Sequence, residues 1–307
     1  MKKLLFTSLL LVVAISSYGK KKYAITTTGE TLQALTQVTD NEEPCLYPFG
    51  GDNGSPLYFA ARENKKYYNI YKKENPFSAA MTQKTSGKNF NYSPVYCAAT
   101  DKLAFRCQLE GSSTSDIFLM SDSKGKALNQ ITESSNAYED YPSFNKDGTL
   151  LVYSKVQYSY YKKYNFWNSF FGLGGSTIIV ENSELWMKNL KTGETTLLGN
   201  GYQPVFSPDN KKIAYVKYSS DAKKGYAYHP RWSPDGTKLV FEASKKDKKD
   251  FDIYIIDTDG NNLVQVTINK SYDGQPYWTK DNYLYFVSDR GNVDGNLQIW
   301  RFKLSEE

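Results

Sequence analysis

The chain has 307 residues, of which 38 are lysine or arginine and 33 are aspartate or glutamate. The two signs are interspersed, so the small positive net charge describes a solvated surface and excludes the basic stripe typical of nucleic-acid binding. Tyrosine occurs 26 times, beside 16 phenylalanines and 5 tryptophans. Because aromatic residues favour strands and no long amphipathic helix pattern is present, the composition predicts an all-β fold.

The first residues have the pattern of a secretory signal peptide. Lys2 and Lys3 precede an apolar run of about a dozen residues, and the small residues Ser17 and Gly19 occupy the −3 and −1 positions of a cleavage site. The run is shorter than the roughly 20 apolar residues that span a bilayer. The sequence predicts a signal peptide at residues 1–19 and one domain at residues 20–307 without a transmembrane segment. We expect a periplasmic protein, with a secreted one as the alternative.

Three cysteines leave at least one thiol unpaired. Cys97 and Cys107 lie on two arms of a predicted hairpin and are about 13 Å apart at the strand rise, whereas a disulfide requires Cα atoms within about 7 Å. We interpret them as buried small apolar residues.

A proline followed by an aromatic residue, then a turn and an apolar strand, recurs six times along the chain. Each copy predicts two strands joined by a turn, and Ser-Pro-Asp-Gly suits such a turn because proline fixes φ and glycine accepts positive φ. The copies are PFGGDNGSPLYF from Pro48, which is degenerate, PVYCAATDKLAF from Pro94, PSFNKDGTLLVY from Pro142, PVFSPDNKKIAY from Pro204, PRWSPDGTKLVF from Pro230 and PYWTKDNYLYFV from Pro276. We call these six residues the anchor prolines.

Two further strand types follow the hairpins and complete a four-stranded blade of about 45 residues. One blade cannot bury both faces, so several must pack radially. LTQVT at Leu35 precedes the first hairpin, and we expect it to supply the outer strand of the last blade. The third strands are NIYKK (Asn69), DIFLM (Asp116), ELWMK (Glu184), DIYII (Asp252) and LQIWRF (Leu297), and the fourth are LTQVT (Leu35), MTQKT (Met81), LNQIT (Leu128), LVQVT (Leu263) and, more weakly, TTLLG (Thr195).

The stretch from Pro230 to Thr267, PRWSPDGTKLVFEAS followed by DIYIIDTDGNNLVQVT, resembles the repeat of the TolB-type (PD40, WD40-like) β-propeller family. The resemblance extends over roughly residues 32–304. It implies a six-bladed propeller and a partner docked at one end of the central channel, as the peptidoglycan-associated lipoprotein docks on TolB. The repeat specifies architecture more strongly than function.

Two irregular spacings depart from this pattern. The anchor prolines are 46, 48, 62, 26 and 46 residues apart, which predicts a long third blade and a fourth blade that keeps only its hairpin. We expect a truncated fourth blade, and a long aromatic hairpin from the third that covers its open edge. The alternative is an exposed apolar tip that docks a partner or a membrane. The tip carries Phe166, Trp167, Phe170 and Phe171.

Catalytic patterns are sparse. His229 is the only histidine, no serine or cysteine nucleophile pattern accompanies it, and the usual zinc geometries need a second histidine. The sequence predicts no catalytic residue, no metal and no cofactor.

The segments before the anchor prolines converge, in a propeller, on one channel mouth. Tyrosine there offers contact area together with a hydroxyl, so this mouth is the candidate partner-binding surface; the alternative is that its tyrosines wedge between blades and its acids cap turns. Its residues are Tyr138, Glu139, Asp140, Tyr226, His229, Tyr272 and Asp273.

Three classes of function are compatible with these features. The first is a non-catalytic interaction module of the cell envelope, resembling the TolB propeller, with an envelope protein or peptide as its partner. The second is a propeller that binds a glycan or a small ligand. The third is a propeller polysaccharide lyase or hydrolase, which would need a channel cluster of acids, histidines or a metal.

Overall fold

The computed structural model describes residues 11–16, 26–27, 32–51, 53–125, 128–157, 183–217, 226–244, 251–291 and 295–304. These residues form β-strands, with one 3-10 turn at Ala98–Thr100 and no α-helix among them. Within the same ranges, nothing has the length and apolarity of a membrane-crossing helix. The expectation of an all-β chain is confirmed.

Each anchor proline lies in the first strand of an antiparallel hairpin, and we number the hairpins one to six as repeats. In the fifth repeat the turn is held by Ser233, whose hydroxyl donates to Asp235 Oδ1 at 2.6 Å and accepts the N–H of Lys238 at 2.9 Å. Gly236 closes this turn at φ 73°, which explains the recurring Ser-Pro-Asp-Gly. The hairpins are β4 (Cys45–Gly50) with β5 (Leu57–Glu63), β8 (Phe90–Cys97) with β9 (Lys102–Gln108), β12 (Ala137–Phe144) with β13 (Leu150–Gln157), β16 (Tyr202–Phe206) with β17 (Lys212–Lys217), β18 (Tyr226–Trp232) with β19 (Lys238–Ser244), and β22 (Asp273–Trp278) with β23 (Tyr283–Ser288).

Third and fourth strands extend most of these hairpins outward. The last residue of the Leu-x-Gln-x-Thr and Met-x-Gln-x-Thr segments explains the recurrence, because Thr85, Thr132 and Thr267 accept a third-strand backbone N–H through Oγ at 2.8–2.9 Å. The strands are β6 (Tyr67–Lys73) and β7 (Thr82–Gln83), β10 (Asp116–Ser121) and β11 (Asn129–Gln130), β14 (Ser183–Asn189) and β15 (Thr195–Asn200), β20 (Asp252–Asp257) and β21 (Val264–Gln265), and β24 (Gln298–Lys303).

The two ends of the chain meet in one sheet. Strand β3 (Gln33–Gln37) pairs antiparallel with β24 and is the outer strand of the sixth repeat. Thr39 fastens this junction, since its hydroxyl donates to Gln298 Oε1 at 2.7 Å and accepts the Ile299 N–H at 2.9 Å. The expected role of the Leu35 segment is therefore confirmed.

The fourth repeat differs from the others in the strand beside its hairpin. Its sheet contains β16, β17 and β1 (Leu11–Ser16), which runs parallel to β17. A second N-terminal strand, β2 (Thr26–Thr27), runs parallel to β21. Residues 1–10 and 17–19 of the expected signal peptide lie outside the described residues, as does the aromatic tip with Phe166, Trp167, Phe170 and Phe171.

The core lies between neighbouring sheets. The largest cluster joins Tyr58 of the first repeat, Phe105 of the second and Val287 of the sixth, all fully buried. Burial of a large apolar side chain contributes roughly 1.5–3 kcal/mol, so this cluster binds the first repeat to both of its neighbours. The thiols of Cys97 and Cys107 are unpaired and buried, as interpreted, and so is that of Cys45.

Candidate functional site

The residue before each anchor proline has a left-handed backbone conformation. Its φ lies between 51° and 56° in all six repeats, and the hairpin pairing shifts register at this point. Positive φ is uncommon outside glycine, and an inserted residue at a β-bulge re-aims its side chain. The six residues, all buried, are Tyr47, Ser93, Tyr141, Gln203, His229 and Gln275.

Three of these six residues have aromatic rings, and they come from alternate repeats: Tyr47, Tyr141 and His229. Their rings meet in what we call the central plug. Their ring centroids are 6.2 Å (Tyr47–Tyr141), 5.9 Å (Tyr47–His229) and 5.5 Å (Tyr141–His229) apart. Gln203 Oε1 accepts the backbone N–H of His229 at 2.7 Å, and Gln275 Oε1 accepts that of Tyr47 at 2.6 Å. The side chains of alternate repeats thus fill the centre, and the amides between them fix the backbone.

His229 is held inside this plug rather than presented to solvent. Its Nδ1 lies 3.0 Å from Glu242 Oε1, and its Nε2 lies 3.3 Å from the Tyr141 hydroxyl. Glu242 also accepts the Tyr272 hydroxyl at 3.1 Å and the Gln275 N–H at 2.6 Å. With 2% of its surface exposed, His229 acts as a structural link between repeats.

The three acids predicted at the channel mouth are buried and face basic side chains of the same chain. Asp140 Oδ2 lies 3.6 Å from Arg106 Nη1, and Asp273 Oδ2 lies 2.6 Å from Arg290 Nη2. Burial raises the pKa of both carboxyls, and the neighbouring arginine opposes the rise.

The predicted mouth residues do not form one continuous surface. Glu139 lines a separate groove of about 500 Å³ with Lys155, whose Nζ lies 3.4 Å from Glu139 Oε1, and with Trp186. The tyrosines of the predicted set are partly exposed: Tyr138, Tyr226 and Tyr272.

A cavity of about 390 Å³ lies on the other side of the central plug, toward the hairpin turns. The residue directly after each anchor proline lines it, so every repeat contributes one side chain to its wall. The plug residues precede the prolines and these residues follow them, so the cavity lies further along the inner strands than the plug. The residues that follow the prolines are Phe49, Val95, Ser143, Val205, Arg231 and Tyr277. We call this space the central cavity.

The charged residues that line the central cavity are all basic: Lys146, Arg231 and Lys280. Aromatic side chains supply much of the remaining wall, and Phe49 packs on Tyr277 with ring centroids 4.9 Å apart. No group of three or more metal-ligating side chains occurs among the described residues. The cavity is therefore suited to an apolar ligand that carries negative charge.

Sequence reasoning missed the central cavity because it compared the segments before the prolines, and of the plug residues in those segments it selected only His229. The signal was present at the position directly after the prolines, where the aligned copies place Arg231 among otherwise uncharged residues.

The comparisons with known proteins agree with this geometry. A family model, the TolB beta propeller domain, matches residues 217–307. No match to the sequence is found among curated proteins.

Solved structures extend the likeness over most of the chain. TolB from Acinetobacter baumannii has a TM-score of 0.58 at 14% identity, and the match covers 84% of this chain and 66% of that one. A protein from Agrobacterium tumefaciens assigned to TolB has a TM-score of 0.56 at 15% identity, covering 88% and 93%. An oligogalacturonate lyase from Vibrio parahaemolyticus has a TM-score of 0.53 at 14% identity, covering 89% and 94%.

At these identities the structures establish the fold alone. The resemblance to the TolB β-propeller family is confirmed, through the family model at residues 217–307 and through the propeller fold of the chain.

Proposed function

We propose that this chain is an exported, non-catalytic interaction module of the cell envelope that binds its partner in the central cavity. The observation that carries the proposal is the cavity itself, to which all six repeats contribute a side chain. Concave sites with apolar and aromatic walls and a few polar groups are typical of ligand binding. The fold shared with TolB supports a protein or peptide as the partner.

The architecture that we propose is a six-bladed propeller whose fourth blade has only two strands of its own. The six bulged hairpins support the blade count, and the pairing of β3 with β24 supports closure between the chain ends. The parallel strand β1 beside β17 supports an open edge on the fourth blade.

Export follows from the proposed signal peptide at residues 1–19. Its removal would take β1 away and leave the edge of β17 for another strand. We retain the hypothesis that the aromatic segment covers this edge. Mass spectrometry of the protein from the envelope fraction should give Lys20 as its first residue. Iodide should then quench the fluorescence of Trp167 weakly if the aromatic segment covers the edge of β17, and strongly if it is an exposed tip that docks a partner.

Non-catalytic action is supported by the position of His229 and of the acids predicted at the mouth, which are buried and bound within the chain. The tyrosines Tyr138, Tyr226 and Tyr272 remain candidates for a second contact surface at that end of the chain.

Glycan binding is the second candidate, because basic residues line the aromatic cavity and the oligogalacturonate lyase shares the fold. Incubation with oligogalacturonate separates the two ideas. Release of unsaturated products would overturn the non-catalytic proposal, while binding without turnover would favour the glycan.

Site-specific photo-crosslinking tests the main proposal. A photoreactive residue at Lys280, on the cavity wall, should give a defined protein adduct in cells, whereas one at Lys191, in an exposed turn of the third repeat, should not. The adduct should disappear in a Val205→Trp variant, which fills the cavity, and persist in Leu197→Trp, where the residue is 49% exposed on an outer strand. If the adduct at Lys280 also forms in the Val205→Trp variant, the cavity is not the binding site.

A further inference from the structure

Arg231 is unusual among the residues that follow the anchor prolines. The other five positions carry aromatic, aliphatic or hydroxyl side chains, so one guanidinium enters an otherwise uncharged ring. Arginine is suited to a planar anionic partner, since its fork of N–H donors matches a carboxylate in two parallel hydrogen bonds.

The guanidinium has few partners within the protein. Its Nη1 donates to the carbonyl oxygen of Pro230, the neighbouring residue, at 3.1 Å. Among the described residues, no carboxylate lies within salt-bridge distance of it, in contrast to Arg106 and Arg290, which both face a buried aspartate. Arg231 is partly exposed to the cavity, so its remaining donors are available to a ligand.

Partial burial strengthens the attraction between the Arg231 guanidinium and an anion that enters the cavity. Burial lowers the pKa of Arg231, and the hydroxyls of Tyr277 and Tyr141 oppose this shift. An arginine remains charged at neutral pH even when its pKa falls, so an anion that enters the cavity meets a cation that is partly shielded from water.

The walls define what else the ligand must carry. Phe49, Val95 and Phe206 line the cavity beside Arg231, and Lys146 and Lys280 add positive charge. No acidic residue lines it, so an anionic group meets no like charge there. A ligand with an apolar side chain next to a carboxylate would contact the apolar walls and Arg231 together.

We propose that Arg231 binds a carboxylate of an extended peptide segment that enters the central cavity with an apolar side chain beside it. The inference rests on the proposed partner-binding function and names the group that the site recognises. The carboxylate is either the C-terminus of the partner chain or an aspartate or glutamate side chain.

Three short peptides test the chemistry. They are acetyl-Ala-Ala-Leu with a free carboxylate, the same peptide as its C-terminal amide, and acetyl-Ala-Asp-Leu-amide, whose carboxylate is on a side chain. In calorimetric titrations the first should bind about tenfold to a hundredfold more tightly than the amide, as charge-assisted hydrogen bonds do relative to neutral ones. Comparison of the first and third peptides assigns the source of the carboxylate.

Variants of the protein provide the matched control. Arg231→Gln should abolish the difference between the free acid and the amide, and Arg231→Lys should keep part of it because the charge stays but the fork is lost. Lys191→Gln removes the same charge from an exposed turn outside the cavity and should change the affinity by no more than about twofold. Near-ultraviolet circular dichroism checks that each variant is folded, and the acid–amide comparison on the unaltered protein needs no variant.

The outcomes separate the inference from the function. Equal binding of acid and amide would overturn the role of Arg231 and leave the partner-binding cavity in place. Binding of trigalacturonate with no binding of any peptide would overturn both, in favour of the glycan. Absence of binding by every probe would overturn the inference, while the crosslinking experiment would still decide the function.

Discussion

Thr39 fastens the N-terminal strand to the sixth repeat, and its substitution measures the strength of that junction. In a Thr39→Val variant the shape is kept, but the Ile299 N–H loses its acceptor and Gln298 Oε1 loses a donor. The Gln298 amide keeps other partners, because its Nε2 donates to the carbonyl oxygens of Asn41 and Glu43 at 2.9 and 3.1 Å. The main cost is therefore one unsatisfied buried N–H.

A buried group that loses its hydrogen bond costs about 1–3 kcal/mol, so we expect the free energy of unfolding to fall by about 2 kcal/mol. Urea titration followed by tryptophan fluorescence measures this change. Thr36→Val, three residues earlier in β3 and with an exposed hydroxyl 3.0 Å from Ala34 O, is the matched control and should stay within about 0.5 kcal/mol. Equal effects of the two substitutions, or no effect of either, would refute the reasoning.

Three further predictions concern charges and thiols. Arg106→Met leaves buried Asp140 without its cation and should cost roughly 3–5 kcal/mol; because burial raises the pKa of that carboxyl, urea titrations should show a smaller deficit at pH 5 than at pH 8. The pKa of Asp101 is lowered to about 2, mainly by the Ser121 and Ser123 hydroxyls, so its contribution to stability should be lost as pH falls from about 4 through 2, and Asp101→Asn should flatten that part of the curve; an unchanged curve would contradict this. Burial raises the pKa of Cys45 and Cys107 to about 12, so neither should react with a disulfide reagent at pH 8 until urea unfolds the chain.

The sequence predicted much of the fold because the repeat combines local turn chemistry with strand periodicity. Ser233 and Asp235 make their hydrogen bonds within a few residues of each other, so the pattern is visible without knowledge of the rest of the chain. The pairing of the Leu35 segment with β24 was predictable as well, because a strand type was missing at one end and surplus at the other.

The site was less predictable because it depends on which repeats face one another. Glu139 and Asp140 are adjacent in sequence, yet Glu139 faces Lys155 in a side groove whereas Asp140 faces Arg106 and the interior. Both residues pair regularly with β13 before the bulge, so the alternation of side chains along the strand sends them to opposite faces. The sequence predicted these residues around one channel mouth. The structure places Glu139 in a groove and Asp140, Asp273 and His229 in the interior.

By itself the sequence determined the local units: the six hairpins, their turns, and the threonines that tie a fourth strand to a third. Only the tertiary structure decided that Tyr47, Tyr141 and His229, which are far apart along the chain, close one centre and leave Arg231 on its open side. The physical reason is that hydrogen bonds within a turn are fixed by neighbouring residues. The content of a shared centre depends instead on the side chains that all six repeats bring to it.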